Sequence, residues 1–452
     1  MGACPLPVSR IYNRGHKMLK HSLLLIILYA TAWPGLANTI QTNLTLEVAL
    51  QYGAENNPKL QASFNQWKGF EENITVQKSL PDPTFTYGYY FESVETKVGP
   101  QNHQFRLAQT FPGFGKLSSR KAIASALAAT YGAHYNQEKL NLDFSITQAY
   151  AELYYLKRSI DITLDQISLI QDLEKVARTR YKTGSSMAPI LQAQVELGRL
   201  EDRLSSLNDL REPLVAQLNA ALNRSTDASL PWPSNLPYRT IDLDEEILSN
   251  ELSRTSPELS ALSHNVEQGS HRVKLAQRER LPDFTIGVQY IQTDDSDTPV
   301  SNNGKDPVIG TVGITLPLWV GKNRARIASA DHQRIAAQLT LESRKQTLDA
   351  DIQQTLYKLR DADRKINLYK ESLIPKTEQS LEVNRKGYEA GHIEFINLID
   401  AERTLLEFAL SHERALADHL IARSKLSQLT GQDFLSEITK HEGSKGTKKS
   451  NQ

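Results

Sequence analysis

Few residues of this chain could do covalent chemistry, and their spacing argues against it. The 11 histidines are scattered. No His-Glu-x-x-His zinc pair, phosphate-binding glycine loop or nucleophile elbow occurs. His412-Glu413 and His419 fall on a helical pattern and read as solvated surface. Cys4 is the only cysteine and precedes an apolar run, so the mature chain has no thiol for a disulfide, a thiolate metal site or a nucleophile. A soft-metal site would need clustered methionines, and past the leader only Met187 remains. The chain is therefore expected to be no enzyme, with no catalytic residue, no metal ligand and no cofactor. Its 52 basic and 52 acidic residues balance, which leaves no electrostatic footprint for nucleic acid.

The remaining polar candidates gather at turns. Tyr388-Glu389-Ala390-Gly391 closes one very long helical pattern, and a second begins within a few residues. The same turn occurs earlier as Tyr181-Lys182-Thr183-Gly184. A glycine there permits positive φ and the close approach of another backbone, so Tyr181, Gly184, Tyr388 and Gly391 mark two hairpin tips. They are either plain turns or contact points. Behind the second tip, Asn397 and Asp400 stand three residues apart, which places both on one helix face.

The elements that carry these tips come in duplicate. Asn57-Pro58 returns as Ser256-Pro257, each a capping residue followed by proline at the first helical position. Leu80-Pro81-Asp82 returns as Leu281-Pro282-Asp283, and Phe111-Pro112 with Gly115-Lys116 returns as Leu316-Pro317 with Gly321-Lys322. Ile123-Ala124-Ser125-Ala126 matches Ile327-Ala328-Ser329-Ala330, and Asn223 matches Gly431 as a left-handed helix stop. A duplication is the first thing to settle, because missing it misassigns the fold.

Within each copy the period changes twice. Phe85, Tyr87, Tyr89 and Phe91 alternate with polar or small residues, and Phe105 to Phe111 repeats the alternation after a polar loop, Glu92 to Gln104. Phe284 to Tyr290 and Val308 to Leu316 do the same around Thr293 to Asp306. Each run approaches the roughly 9–11 residues that a tilted strand needs to cross a bilayer. On the strands alone, a soluble sandwich reads the same way. The helical pattern from Lys116 to Thr183 would extend on the order of 100 Å, which no globular core matches. Its partner runs from Lys322 to Ala390, and returning helices are expected at about 189–222 and 395–429.

The N-terminus has Arg14, Lys17 and Lys20, then apolar Leu23 to Trp33, then Gly35-Leu36-Ala37, the layout of an export signal, with Met18 as a second possible start. The expected organisation is a leader at 1–37 and a first structural repeat at 38–240, with strands at about 83–111 and helices at about 116–222. A second repeat follows at 241–439, with strands at about 283–316 and helices at about 322–429, and then a disordered tail at 440–452. Four strands cannot close a barrel, and lipid cannot satisfy an open edge, so several chains must share one sheet.

The duplicated layout, the strand-closing Phe111-Pro112-Gly113-Phe114-Gly115-Lys116 and the tips at Gly184 and Gly391 resemble the TolC-like outer-membrane factor family. The resemblance covers essentially all of the mature chain. Gln109, Pro112 and Gly115-Lys116 also resemble its heavy-metal efflux branch. What it implies is an α+β membrane protein, a homotrimer whose 12-stranded β-barrel, four strands per chain, sits in outer-membrane lipid and continues as a long periplasmic α-helical barrel. It implies a passive channel-tunnel of a tripartite efflux or export system, docking through its tips with a periplasmic adaptor and an inner-membrane pump, with no nucleic acid involved. In the family, acidic residues one turn apart after the second tip narrow the periplasmic gate. The matching positions here are Asn397 and Asp400, and Asn397 departs from the two-acid pattern, as does Ile190 at the first tip. The plain alternative for Asp400 is a solvated carboxylate, with Glu402 on another face as its comparison. A soluble periplasmic coiled-coil adaptor or scaffold would account for the helices and the leader but not for four membrane-length strands.

Overall fold

The computed structural model describes residues 44–435 except Asp242 and Asp244. The expected export signal at 1–37 and the tail at 440–452 lie outside the described residues. The chain opens with α1 (Leu46–Asn56) and α2 (Pro58–Lys78), then β1 (Thr84–Thr96) and β2 (Gly99–Phe111). Next come α3 (Lys116–Lys182), α4 (Ala188–Asp209) and α5 (Arg211–Ala221). After α6 (Glu245–Thr255) and α7 (Pro257–Arg278) lie β3 (Asp283–Thr293) and β4 (Val308–Thr315). The last elements are α8 (Val320–Leu368), a π-helical turn at Tyr369–Leu373, α9 (Ile374–Ala390) and α10 (Phe395–Thr430).

Local chemistry sets these boundaries. The Asn57 Oδ1 and Ser256 Oγ atoms accept the amides of Leu60 and Leu259, and a proline follows each cap. Asn223 and Gly431 both take positive φ where helices stop. Two helices differ from the continuous pattern in the sequence. Pro375 has no amide and its ring crowds the carbonyl of Glu371, so the chain widens into the π turn, in which the Ile374 amide reaches the Tyr369 carbonyl. The returning helix expected at 189–222 breaks at Leu210, and Pro213 then sits in the first turn of α5, where an amide is not needed.

The sheet is antiparallel with order β1-β2-β3-β4. Its register aligns Phe85, Leu107 and Val288 on one rung, Tyr87, Phe105, Tyr290 and Val308 on another, and Ile286 with Val312 on a third. These side chains share one face. The opposite face carries Thr86, Gln104, Arg106, Thr285, Gln289 and Thr311. Among the described residues nothing covers the apolar face, with Phe85 65% and Val312 74% exposed. The long polar loop expected from Glu92 to Gln104 is instead mostly strand. The turn is confined to Lys97-Val98, the register slips between Tyr89 and Val94, and pairing with β3 continues as far as Gln101. Backbone pairing across three strands overrides polar composition there. At Gly99, with φ 128°, a Cβ would fall 1.7 Å from the Asp294 carbonyl oxygen, so only glycine closes this end.

Two compact units are present, each drawn from separated stretches. One gathers Ile146–Pro237 and Lys365–Ala417 with the segment leading to Asn56. Its core contains Ile170 and Leu173 of α3, Ala193 and Leu200 of α4, Tyr388 of α9, and Phe395, Leu398, Ile399, Leu406 and Leu410 of α10. The other holds Asn57–Ser145 and Tyr238–Arg364 and the chain from Asp418 onward. In it the sheet is locked to the start of α3, because Asp283 Oδ1 accepts both the Gly113 amide and Lys116 Nζ at 2.6 Å. Arg278 Nη1 donates to the Gly115 carbonyl at 2.7 Å and to Ser118 and Ser119. The repeated landmarks at 111–116 and 281–283 thus meet at one joint.

The expectation that His412-Glu413 and His419 are solvated surface is wrong. His419 and Arg423 are fully buried, Glu413 is buried against Arg158 at 3.0 Å, and His412 is half-buried. A long amphipathic pattern does not show which polar positions a neighbouring segment covers. Arg423 donates to the carbonyls of Arg239 and Phe434, tying two non-helical segments to α10. His419 packs edge-on to Tyr238, whose hydroxyl donates to Asp363 at 3.1 Å. Burial, with the Arg423 charge beside it, pushes His419 down to about 4. Unfolded, this imidazole takes its proton near pH 6.5, whereas the folded chain refuses it until about pH 4. Stability should therefore fall as pH drops through that window, by about 3 kcal/mol at most. Urea unfolding of the detergent-solubilised protein between pH 7 and 4 should show this loss and should show less of it in His419→Gln. Equal slopes would contradict the assignment.

Candidate functional site

Both hairpin tips are built by the same backbone device. At the first, Ser185 N reaches the Arg180 carbonyl at 3.1 Å and Gly184 N reaches Tyr181 O at 3.0 Å, with Gly184 at φ 99°. At the second, His392 N reaches Gly387 O at 2.8 Å and Gly391 N reaches Tyr388 O at 3.0 Å, with Gly391 at φ 84°. These paired bonds satisfy the last carbonyls of α3 and α9 and need a left-handed residue at the glycine. An added Cβ at Gly184 would meet nothing within 4 Å, and at Gly391 it would meet Arg180 Nη2 at 3.2 Å.

Arg180 joins the two tips. Its guanidinium lies 4.8 Å from the centre of the Tyr388 ring, and its Nη1 donates to the Tyr388 carbonyl. A cation at the carbonyl end of α9 also complements the helix dipole. Of the four residues marked at the tips, Tyr181, Gly184 and Gly391 lie on the surface, whereas Tyr388 is buried and packs on Phe395 at 5.2 Å.

Asn397 and Asp400 are both exposed on α10, with Leu398 and Ile399 buried between them. The Asp400 carboxylate lies 3.5 Å from Arg403 Nη1. Arg403 in turn donates through Nε and Nη2 to Glu196 Oε2 of α4, at 3.1 and 2.7 Å, and Arg199 reaches the same oxygen at 3.1 Å. Glu196 is buried, and two guanidinium groups compensate it. Asp400 is thus the exposed end of an ion network that fastens α10 to α4.

Glu402 does not lie on a neutral face. It is buried in the seam of α10, where Gln166 of α3 donates to its Oε2 at 2.6 Å. It therefore fails as a comparison residue for Asp400. The signal was present in the sequence: Glu402 continues the spacing of Phe395, Leu398, Ile399, Leu406 and Leu410. Arg403 was equally legible, three residues from Asp400. Arg180 was not, since its partner lies 208 residues away.

Among the described residues no cluster of three or more His, Cys, Asp or Glu side chains could hold a metal ion. No described helix is long and apolar enough to cross a membrane. Gln109, one of the positions resembling the heavy-metal branch, spends its amide on the carbonyls of Pro81 and Thr110.

Residues 248–432 match the family of outer membrane efflux proteins. The cobalt-zinc-cadmium resistance protein CzcC of Cupriavidus metallidurans is 22% identical over 399 residues, covering 86% of this chain and 90% of the relative. The outer membrane protein TolC of Vibrio cholerae is 22% identical over 395 residues, covering 83% and 88%. Among solved structures, the outer-membrane channel OprN superposes with TM-score 0.74 at 15% identity, covering 86% of this chain and 90% of that one. CusC superposes with TM-score 0.72 at 13% identity, covering 88% and 94%. Across its second half the chain thus matches the outer membrane efflux protein family, and across most of its length it shares the fold of solved outer-membrane channels.

Proposed function

We propose that this chain is the outer-membrane channel of a tripartite efflux system, a passive conduit from periplasm to exterior. The observation that carries the reading is the four-stranded sheet, apolar on one face and polar on the other, with that apolar face uncovered and β1 and β4 each lacking a partner along one edge among the described residues. Hydrocarbon accepts the apolar face but cannot satisfy the edges, so neighbouring copies must supply the missing strands. Three copies would close 12 strands around the polar face, and the long helices, built as two copies of one repeat, would continue the conduit as a periplasmic tunnel. A soluble coiled-coil adaptor leaves the uncovered apolar face without a role. The name of the relative CzcC makes cobalt, zinc and cadmium the first cargoes to assay. An inner-membrane pump and a periplasmic adaptor would select and deliver them.

Docking with the adaptor falls to the tips, through Tyr181, Gly184 and Gly391, with Tyr388 contributing by packing. Gly184→Trp puts bulk where no protein atom lies nearby, at about 1–2 kcal/mol of backbone strain. Cells carrying it should keep trimers in the outer membrane yet lose efflux and cross-linking to the adaptor. Loss of the trimer itself would make the tip a structural turn only.

Asn397 and Asp400 we assign to the periplasmic gate. Three copies would arrange Asp400 as a ring of carboxylates, which favours cations. In planar bilayers the purified protein should conduct, and Asp400→Ala should raise the open fraction and weaken cation preference. Glu378→Ala, exposed on α9, should change neither. Unchanged conductance and selectivity in Asp400→Ala would remove it from the gate, and absence of any conductance would count against the channel.

A further inference from the structure

Glu402 follows Asp400 by two residues yet is only 1% exposed. Its contacts are half complete. Gln166 Nε2 donates to Glu402 Oε2 at 2.6 Å and to the Glu402 backbone carbonyl at 3.1 Å, whereas Oε1 is buried with no hydrogen-bond partner. The surrounding elements bring little positive charge to it. From α3 comes the neutral Gln166, and from α9 comes Arg385, which lies 3.3 Å from Glu389. On α4, Glu196 is bound to Arg199 and to Arg403, and on α10 itself Arg403 is shared between Glu196 and Asp400. A buried carboxylate with one oxygen unmatched is far less favourable than the neutral acid. Burial accordingly pushes Glu402 up to about 7, and Gln166 and Arg385 only partly offset it.

We propose that Glu402 positions the tunnel entrance. As a neutral acid it lets α10, and with it Asp400, stay packed against α3. On giving its proton to solvent it becomes a buried anion whose Oε1 has no partner, and although the Gln166 bond strengthens, the desolvation of that charge favours release of α10 from α3. The inference rests on the channel reading above. Glu402 is a positioning residue, acting on the conduit through Asp400 and its helix. The sign follows from the raised folded-state value: the hold is complete below the ordinary carboxyl range near 4.5 and is lost as pH rises toward about 7.

The test is single-channel recording of the full-length protein from pH 5.5 to 8, paired with hydrogen exchange of the α10 amides over the same range. Wild-type open occupancy should rise by up to about tenfold per pH unit below 7 and level off above. Glu402→Gln, which keeps the acid's shape without its proton equilibrium, should stay low and flat. Glu402→Leu, which removes the polar group, should also be flat, and it serves if the amide variant assembles poorly. A wild-type pH response retained in these variants, or absent from the wild type, would overturn the proposal. If nothing conducts, the channel reading fails and exchange alone decides. Wild-type α10 should then open with rising pH beyond the chemical rate, Glu402→Gln should not, and equal behaviour would refute the hold.

Discussion

A strand in hydrocarbon has no water to satisfy its backbone, and that constraint governs this molecule. Among the described residues the sheet has four strands, three ladders and two unpaired edges. With Phe85, Leu107, Val288 and Val312 turned to one side, that face suits lipid, while the edges do not. The proposed completion of the sheet by further copies answers this constraint. The joint at Asp283, Lys116 and Arg278 fixes how the strands pass into α3. In the proposed trimer the long helices would be wetted on two sides, which accounts for apolar stripes that are narrow and a surface that is largely polar.

The helical part meets a second constraint, the handling of buried polar groups. Two solutions appear. Glu196 is compensated by Arg199 and Arg403, and Glu413 by Arg158, so each charge keeps its partner. Glu402 has no cation bound to it, and His419, although Asp363 lies 3.3 Å from its Nε2, is fully buried beside the Arg423 charge; each shifts its proton affinity toward the neutral form. The two responses to pH are opposite. Acidification loads His419 and weakens its surroundings, while alkalinity ionises Glu402 and weakens the hold on α10. Between them lies the range in which both groups sit neutral and the packing is least opposed.

Much of this was legible in the sequence wherever a local rule determines the outcome. Asn57 and Ser256 cap because they precede prolines and apolar stripes, and Gly184, Gly391 and Gly431 end helices because their left-handed φ favours glycine. Tertiary pairing hid the rest. The segment from Glu92 to Gln104 looks like a loop because its residues are polar, yet its two ends pair with each other as β1 and β2, and β3 pairs with residues 101–104. His419 looks solvated until Tyr238 covers it. At the candidate site, Asn397 and Asp400 were readable as one exposed helix face. Arg180, whose contact depends on two tips meeting, carried no local signal.

The central claim is that β1 of one copy pairs with β4 of the next. It is tested most directly by cysteine cross-linking in native outer membranes, where the chain past the expected leader has no thiol of its own. Single cysteines placed along 84–91 and 308–315 are combined pairwise in one chain and oxidised. The account predicts that one register of pairs yields covalent dimers and closed trimers on denaturing gels, while registers shifted by several residues do not. A complete scan that yields no inter-chain product from membrane-embedded protein would contradict it.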